Sequence, residues 1–217
     1  MKIDRHGKAK ILTQQEIQLL FTQGFQLDRD RALFGICLFS ACRIMEACTL
    51  LTVDVYDQRG RVRPTMIIRK ANTKGKLATR TIHIIDDLRR LLVNYQPTPN
   101  QPYLFPGRFS GHIDSDSASR ILRKACKRVG IEGSSTHSFR RTALTMMSDS
   151  GIPLRVIQEI SGHRDLAQLQ EYLEVRDSQV KGALSTLSML SPVPEAGKCT
   201  YPDLHPNLAD PVNKPSV

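Results

Sequence analysis

No apolar run in this chain is long enough to cross a bilayer: the longest, Ala32 to Cys42, is about half of the ~20 residues that a spanning helix needs. It reads instead as a core helix. The basic opening, MKIDRHGKAK, is not followed by the apolar stretch of a secretory signal, so nothing marks export and the expected compartment is the cytoplasm. Five cysteines, at 37, 42, 48, 126 and 199, are an odd number without paired spacing, and the first three do not share one helical face. Free thiols are expected, and a zinc site is not. The sequence also lacks a G-x-x-x-x-G-K-[ST] phosphate loop, an acidic cluster spaced for Mg²⁺, and any evident internal repeat.

What is present suits a soluble protein with one good-sized core: 217 residues, 40% hydrophobic and 24% charged. The formal charge of +10 favours a polyanionic partner, because each Lys or Arg set against a phosphate releases condensed counterions. Charge alone fits nucleic acid or a membrane surface and says nothing of chemistry.

Along the chain, Thr13 with Glu16 three residues on forms a capping-box pattern ahead of Ile17, Leu19 and Leu20. A second helix is predicted over Asp28 to Ala41 and a third over Ile44 to Leu51, meeting at SACRIMEAC with Arg43 at the corner. PTMIIRK and ATRTIHI lean to strand on either side of ANTKGKL, which predicts a hairpin or small sheet with a basic loop. Helical patterns resume at Asp87 to Tyr95 and at Asp116 to Val129. In the latter, Ile121, Leu122, Ala125 and Val129 line one face, while Arg120, Arg123, Lys124, Lys127 and Arg128 make a face that either meets phosphates or is simply solvated. THSFRRTALTMMSDSG is a helix closing near Gly151, and IPLRVIQEISGH restarts after Pro153. Half of the twelve prolines fall after Ser191, so 191–217 is expected to be an extended or disordered tail, and 1–10 a basic lead or linker.

Taken singly, the polar candidates have ordinary explanations. His137 and Arg140 share a helical face, as many structural pairs do, and Arg43 has a local ion-pair partner in Glu46. Together they fit one problem, cleavage of a phosphodiester without a metal. Charge growing on phosphate oxygens calls for planar, permanently charged, bidentate donors, for which Arg43 and Arg140 are candidates. A tyrosine with a hydroxyl pKa of about 10 needs a proton acceptor and a positive field to act as a nucleophile. His137 and the arginines provide these. A lysine in a cationic hairpin loop can protonate the leaving alkoxide.

The segments ACRIMEACTL, HSFRRTALTMMSDSGIPLRVIQEISGH and LQEYLEV resemble the catalytic domain of the tyrosine recombinase (phage integrase) family, in order and spacing as well as residue type. An R-x-x-E corner is followed by H-x-x-R, by His163 in a G-H pair 26 residues after His137, and by Tyr172 nine further on. The likeness covers roughly residues 10 to 190. It implies an α+β fold, a mainly helical catalytic domain over 11–190 with a small antiparallel sheet or hairpin. It implies that Arg43 and Arg140 clamp the scissile phosphate, that His137 handles the proton of the nucleophile, and that His163 donates to the phosphate. Tyr172 is then the nucleophile of a 3′-phosphotyrosyl link, and Glu46 supports the site. The family lysine falls in TKGK, where Lys74 is preferred to Lys76 and Lys70 is a distant third.

The resemblance further implies metal- and ATP-independent cleavage and rejoining of double-stranded DNA by a site-specific recombinase or integrase, without cofactor or membrane. A homo-oligomer, a synaptic tetramer on DNA, is the expected assembly. Residues 176–190 carry an apolar stripe of Val180, Ala183, Leu184, Leu187 and Leu190 that packs in cis or reaches a neighbour. The N-terminal helical domain that most family members carry to complete a DNA clamp is not seen before the catalytic pattern. Two alternatives stand beside recombination: a DNA-binding regulator that has lost the reaction, against which the intact set of positions speaks, and DNA relaxation of the type IB topoisomerase kind. The target site and the biological programme are not legible.

Overall fold

Thr13 caps α1 (Gln14–Leu19) as the pattern predicts: its hydroxyl accepts from the N–H of Glu16, and the Glu16 carboxylate accepts from the N–H of Thr13. The protein is described here from a computed structural model, which describes residues 9–70, 79–97, 101–108, 111–170, 177–185 and 187. After α1 the helix opens into one π turn, Leu20–Gly24, that buries Leu20. α2 (Asp28–Phe39) is the centre of the core, with Leu33, Phe34 and Ile36 sealed from solvent. It stops short of the expected Ala41 because Ala41 turns into the left-handed region, at φ 49°. The corner leads into α3 (Ile44–Cys48). That helix in turn ends before Leu51, whose backbone pairs instead with Tyr103, with the N–H of Leu104 donating to the carbonyl of Leu50.

β1 (Thr65–Ile68) and β2 (Arg80–His83) form the expected antiparallel pair, with Met66 opposite Ile82 and Ile68 opposite Arg80. These four side chains are buried, while Ile67, Thr81 and His83 are exposed, so the sheet alternates as a half-buried pair should. The buried face therefore includes an arginine. The connecting residues 71–78 lie outside the described segments.

α4 (Asp86–Asn94) buries Leu88 and Leu92 against α2. α5 (Ser115–Arg128) is capped by Asp114, which accepts from the N–H of Ser117 at 2.7 Å, and its apolar face is Ala118, Leu122, Ala125 and Cys126. Arg120, Arg123, Lys124, Lys127 and Arg128 are all exposed. α6 (Thr136–Asp149) packs on α2 through a ring cluster in which Phe34 lies 4.8 Å from Phe25 and 5.1 Å from Phe139, centroid to centroid. This anchors the turn of α6 that carries Arg140. α7 (Leu154–Ser161) follows Pro153 and ends at Gly162, and α8 (Leu166–Gln170) follows it. Among the described residues no helix is long and apolar enough to cross a membrane.

The chain divides into two compact units, Met1–Val175 and Arg176–Val217. The second contains α9 (Asp177–Ser185), on which Val180, Ala183 and Leu184 of the anticipated apolar stripe fall. The proline-rich 191–217 and the lead 1–8 lie outside the described residues.

Candidate active site

Four elements converge at the corner between α2 and α3. Arg43 is the N-cap of α3, and Glu46, three residues on, reaches back to it. The Glu46 carboxylate accepts from the Arg43 backbone N–H at 2.9 Å and from Arg43 Nη1 at 3.3 Å. Glu46 is sealed, at 1% side-chain exposure, whereas Arg43 keeps 25%, enough to meet a ligand. The arginine is gripped by its root.

Arg140, only 1% exposed, is the largest fully buried side chain of the described structure. Its Nη1 donates to the carbonyls of Ala41, in a short contact, and of Ser161, at 3.0 Å. Ala41 presents that carbonyl from its left-handed conformation, a strained geometry of a kind that recurs at functional sites. Nη2 of Arg140 lies 2.9 Å from Nε2 of His163. Burial first, then the neighbouring guanidinium of Arg43, pulls the Arg140 pKa down to about 10, which leaves it charged at neutral pH.

His163 sits just past the left-handed Gly162, at φ 65°, whose N–H closes α7 on the carbonyl of Gln158 at 2.8 Å. Its Nδ1 is 2.8 Å from the Ser161 hydroxyl, which reaches the carbonyl of Gln158 at 3.3 Å. Arg140 only donates, so Nε2 accepts; Nδ1–H then donates to Ser161, and Ser161 donates to Gln158. This fixes a neutral imidazole. Burial first, then Arg140, Arg43 and Arg80, pushes the pKa down to about 3, in agreement with that tautomer.

His137 lies on α6 one turn before Arg140, but the two differ in setting: Arg140 is buried and His137 exposed. Arg43, Glu46, Arg140 and His163 are thus brought together, with His137 on the same helix as Arg140. Lys74, Lys76 and Tyr172 lie outside the described residues, between β1 and β2 and just after α8 respectively. Tyr56 and Tyr95 are buried, with hydroxyls on backbone carbonyls, that of Tyr95 donating to Leu104 at 2.7 Å, and burial raises both of their pKa values. Neither is poised to ionise.

A third guanidinium was not anticipated from the sequence. Arg80, on β2, donates through Nη2 to Glu46 at 2.9 Å and through Nη1 to the carbonyl of Ser161 at 2.5 Å. Its signature was an arginine in phase with Ile82 in the alternating TRTIH, at a position facing inward. Among the described residues, Arg43 and Arg80 share the Glu46 carboxylate, Arg140 shares the Ser161 carbonyl with Arg80 and feels the charge of both arginines, and His163 is neutral. The cluster is short of negative charge, and an anion would complete it.

The family model for the phage integrase family matches residues 10–179. The chain belongs to the phage integrase family. One member, an integrase/recombinase named y4qK of Sinorhizobium fredii, is 30% identical over 199 residues, 88% of this chain and 61% of its own length. The chain therefore spans about three-fifths of that relative. Among solved structures, the XerA recombinase superposes with a TM-score of 0.67 at 23% identity, covering 86% of this chain and 66% of that one. The XerH site-specific recombinase bound to a palindromic difH substrate, in a post-cleavage complex, gives 0.64 at 20% identity, covering 86% and 56%. At these identities the likeness to integrase-family structures speaks for the fold.

Proposed function

We propose that this chain carries the catalytic part of a site-specific recombinase that cleaves and rejoins double-stranded DNA through a 3′-phosphotyrosyl intermediate, without metal or nucleotide. The observation that carries the reading is that Arg43 and Arg80 share the Glu46 carboxylate while Arg140, held on the same Ser161 carbonyl as Arg80, stands beside them, a cationic cluster that a phosphate would complete. In the proposed step the Tyr172 oxygen attacks phosphorus, its proton passing to His137. The bond from phosphorus to the 5′ oxygen breaks, and Lys74 protonates the departing alkoxide. A 5′-hydroxyl later attacks the phosphotyrosine and reverses the sequence, so no external energy source is needed. DNA and further copies of the chain, as a synaptic assembly, are the proposed partners, with residues 176–190 as the candidate linking segment.

Arg43 and Arg140 are assigned to the two non-bridging oxygens. A phosphate that draws Nη2 of Arg140 away from His163 leaves Nε2 beside it. Nε2 then takes a proton from water as Nδ1 gives one up to water, Ser161 rotates its hydroxyl to donate to Nδ1, and Nε2–H becomes the donor to the phosphate. One serine thus serves both tautomers, which reconciles an acceptor in the free protein with the donor role expected of His163.

The reading is tested on nicked duplexes that trap cleaved product. Arg140→Ala and Arg140→Lys are expected to cut adduct formation by about 10²–10³-fold, the usual loss of a donor to transition-state charge, with the helical circular dichroism retained. Cleavage by a folded Arg140→Ala at the wild-type rate would overturn it.

A further inference from the structure

We infer that Arg80 is a positioning residue of the phosphate site: it locks Glu46 to the backbone at the end of α7, so that Glu46 holds Arg43 and the α7 terminus holds Arg140 in one fixed geometry. This rests on the phosphate-cleaving reading above. Arg80 is 8% exposed and cannot itself reach far into solvent. Its two bonds go to groups that each already hold a clamp arginine. Glu46 Oε2 takes Nη2 of Arg80 and the backbone N–H of Arg43, while Oε1 takes the Arg43 side chain. The carbonyl of Ser161 takes both Arg80, at 2.5 Å, and Arg140, at 3.0 Å.

Two cations on one carbonyl repel, and an arginine serving stability alone would be better placed elsewhere. The arrangement makes sense if the site must hold cations close together before a phosphate arrives. Without Arg80, Glu46 would be left buried opposite Arg43 alone, and their charges would pair off. With it, part of the Glu46 charge is spent on Arg80, so Arg43 keeps more of its own for a ligand. The fit is tight on the third side as well: a Cβ at Gly162 would overlap the Arg80 guanidinium, so the residue before His163 is a glycine packed directly on Arg80. Arg80 also sits at the first position of β2, six residues after Lys74 along the chain. One side chain therefore registers the hairpin base, the α3 corner and the end of α7.

The test uses the full chain with Arg80→Lys, which keeps charge and stem but loses the two-pronged reach, and Arg80→Met, which removes the charge. In the first arm, inorganic phosphate is titrated while the side-chain Nε–H resonances of Arg43 and Arg140 are followed by NMR. Both variants, shown to be folded by melting, are expected to bind phosphate about tenfold or more weakly, as when a supporting partner of a bound site is lost. In the second arm, adduct formation is compared on nicked duplexes with an ordinary or a methylphosphonate scissile group. The uncharged methylphosphonate needs less compensation, so the defect of each variant shrinks on it. A merely structural arginine would lower both substrates by the same factor. Unchanged phosphate affinity in both folded variants, or an equal loss on the two substrates, overturns the assignment. Failure of wild type to form any adduct would count against strand cleavage, and the phosphate titration would still decide Arg80.

Discussion

At the scale of the residue, His163 makes the most specific claim. The folded protein holds it neutral with a pKa of about 3, against 6.5 for an ordinary imidazole. Below pH 6.5 the unfolded chain takes up a proton that the folded site refuses, so stability falls as pH drops from about 6.5 toward 3 and the penalty stops growing below that. The slope from this one group is about 1.4 kcal/mol per pH unit. Replacing His163 by Gln removes the titration, so denaturant unfolding of wild type and variant between pH 7 and 4 should converge by about that slope. Parallel curves would contradict the buried, neutral assignment. That Arg43, Glu46, Arg140 and His163 come together was legible because their relation lies in spacing along the chain, while the role of His137 stays a proposal. Arg80 was not, because its partners are 34 and 81 residues away and only the folded hairpin brings them together.

Among the elements, the end of α7 and the end of α6 provide a controlled pair. Gly162 and Gly151 both adopt left-handed conformations, at φ 65° and 74°, but a Cβ at 151 meets nothing within 4 Å whereas one at 162 meets Arg80. Gly151→Ala should therefore cost about 1–2 kcal/mol for conformation alone. Gly162→Ala should cost a further ~1–3 kcal/mol for overpacking and slow cleavage by displacing Arg80. Equal costs in a thermal melt would mean that the packing on Arg80 carries no weight. Helix positions were legible to within a few residues from periodicity and caps, as in Thr13 with Glu16. The misplaced ends, at Ala41 and Leu51, were set by a strained carbonyl aimed at Arg140 and by a bridge to Tyr103, both long-range contacts that no local pattern contains.

For the molecule as a whole, the +10 charge has two parts with different work. The buried arginines hold positive charge at a fixed point, while the exposed face of α5 spreads it over a surface. The first suits one phosphate under attack; the second suits a backbone held by many weak, salt-sensitive contacts. The fold was legible as a mainly helical domain with one hairpin, and Lys74 and Tyr172 remain assigned by family pattern alone. The most direct test of strand cleavage is covalent capture. The full chain is incubated at low salt with nicked suicide duplexes of random sequence, wild type beside Tyr172→Phe, and denatured samples are resolved by mass. A denaturation-resistant DNA adduct on wild type that is missing from Tyr172→Phe is the predicted result. An adduct that survives the substitution, or none from wild type even when a DNA-binding domain is fused to hold the duplex, would contradict it.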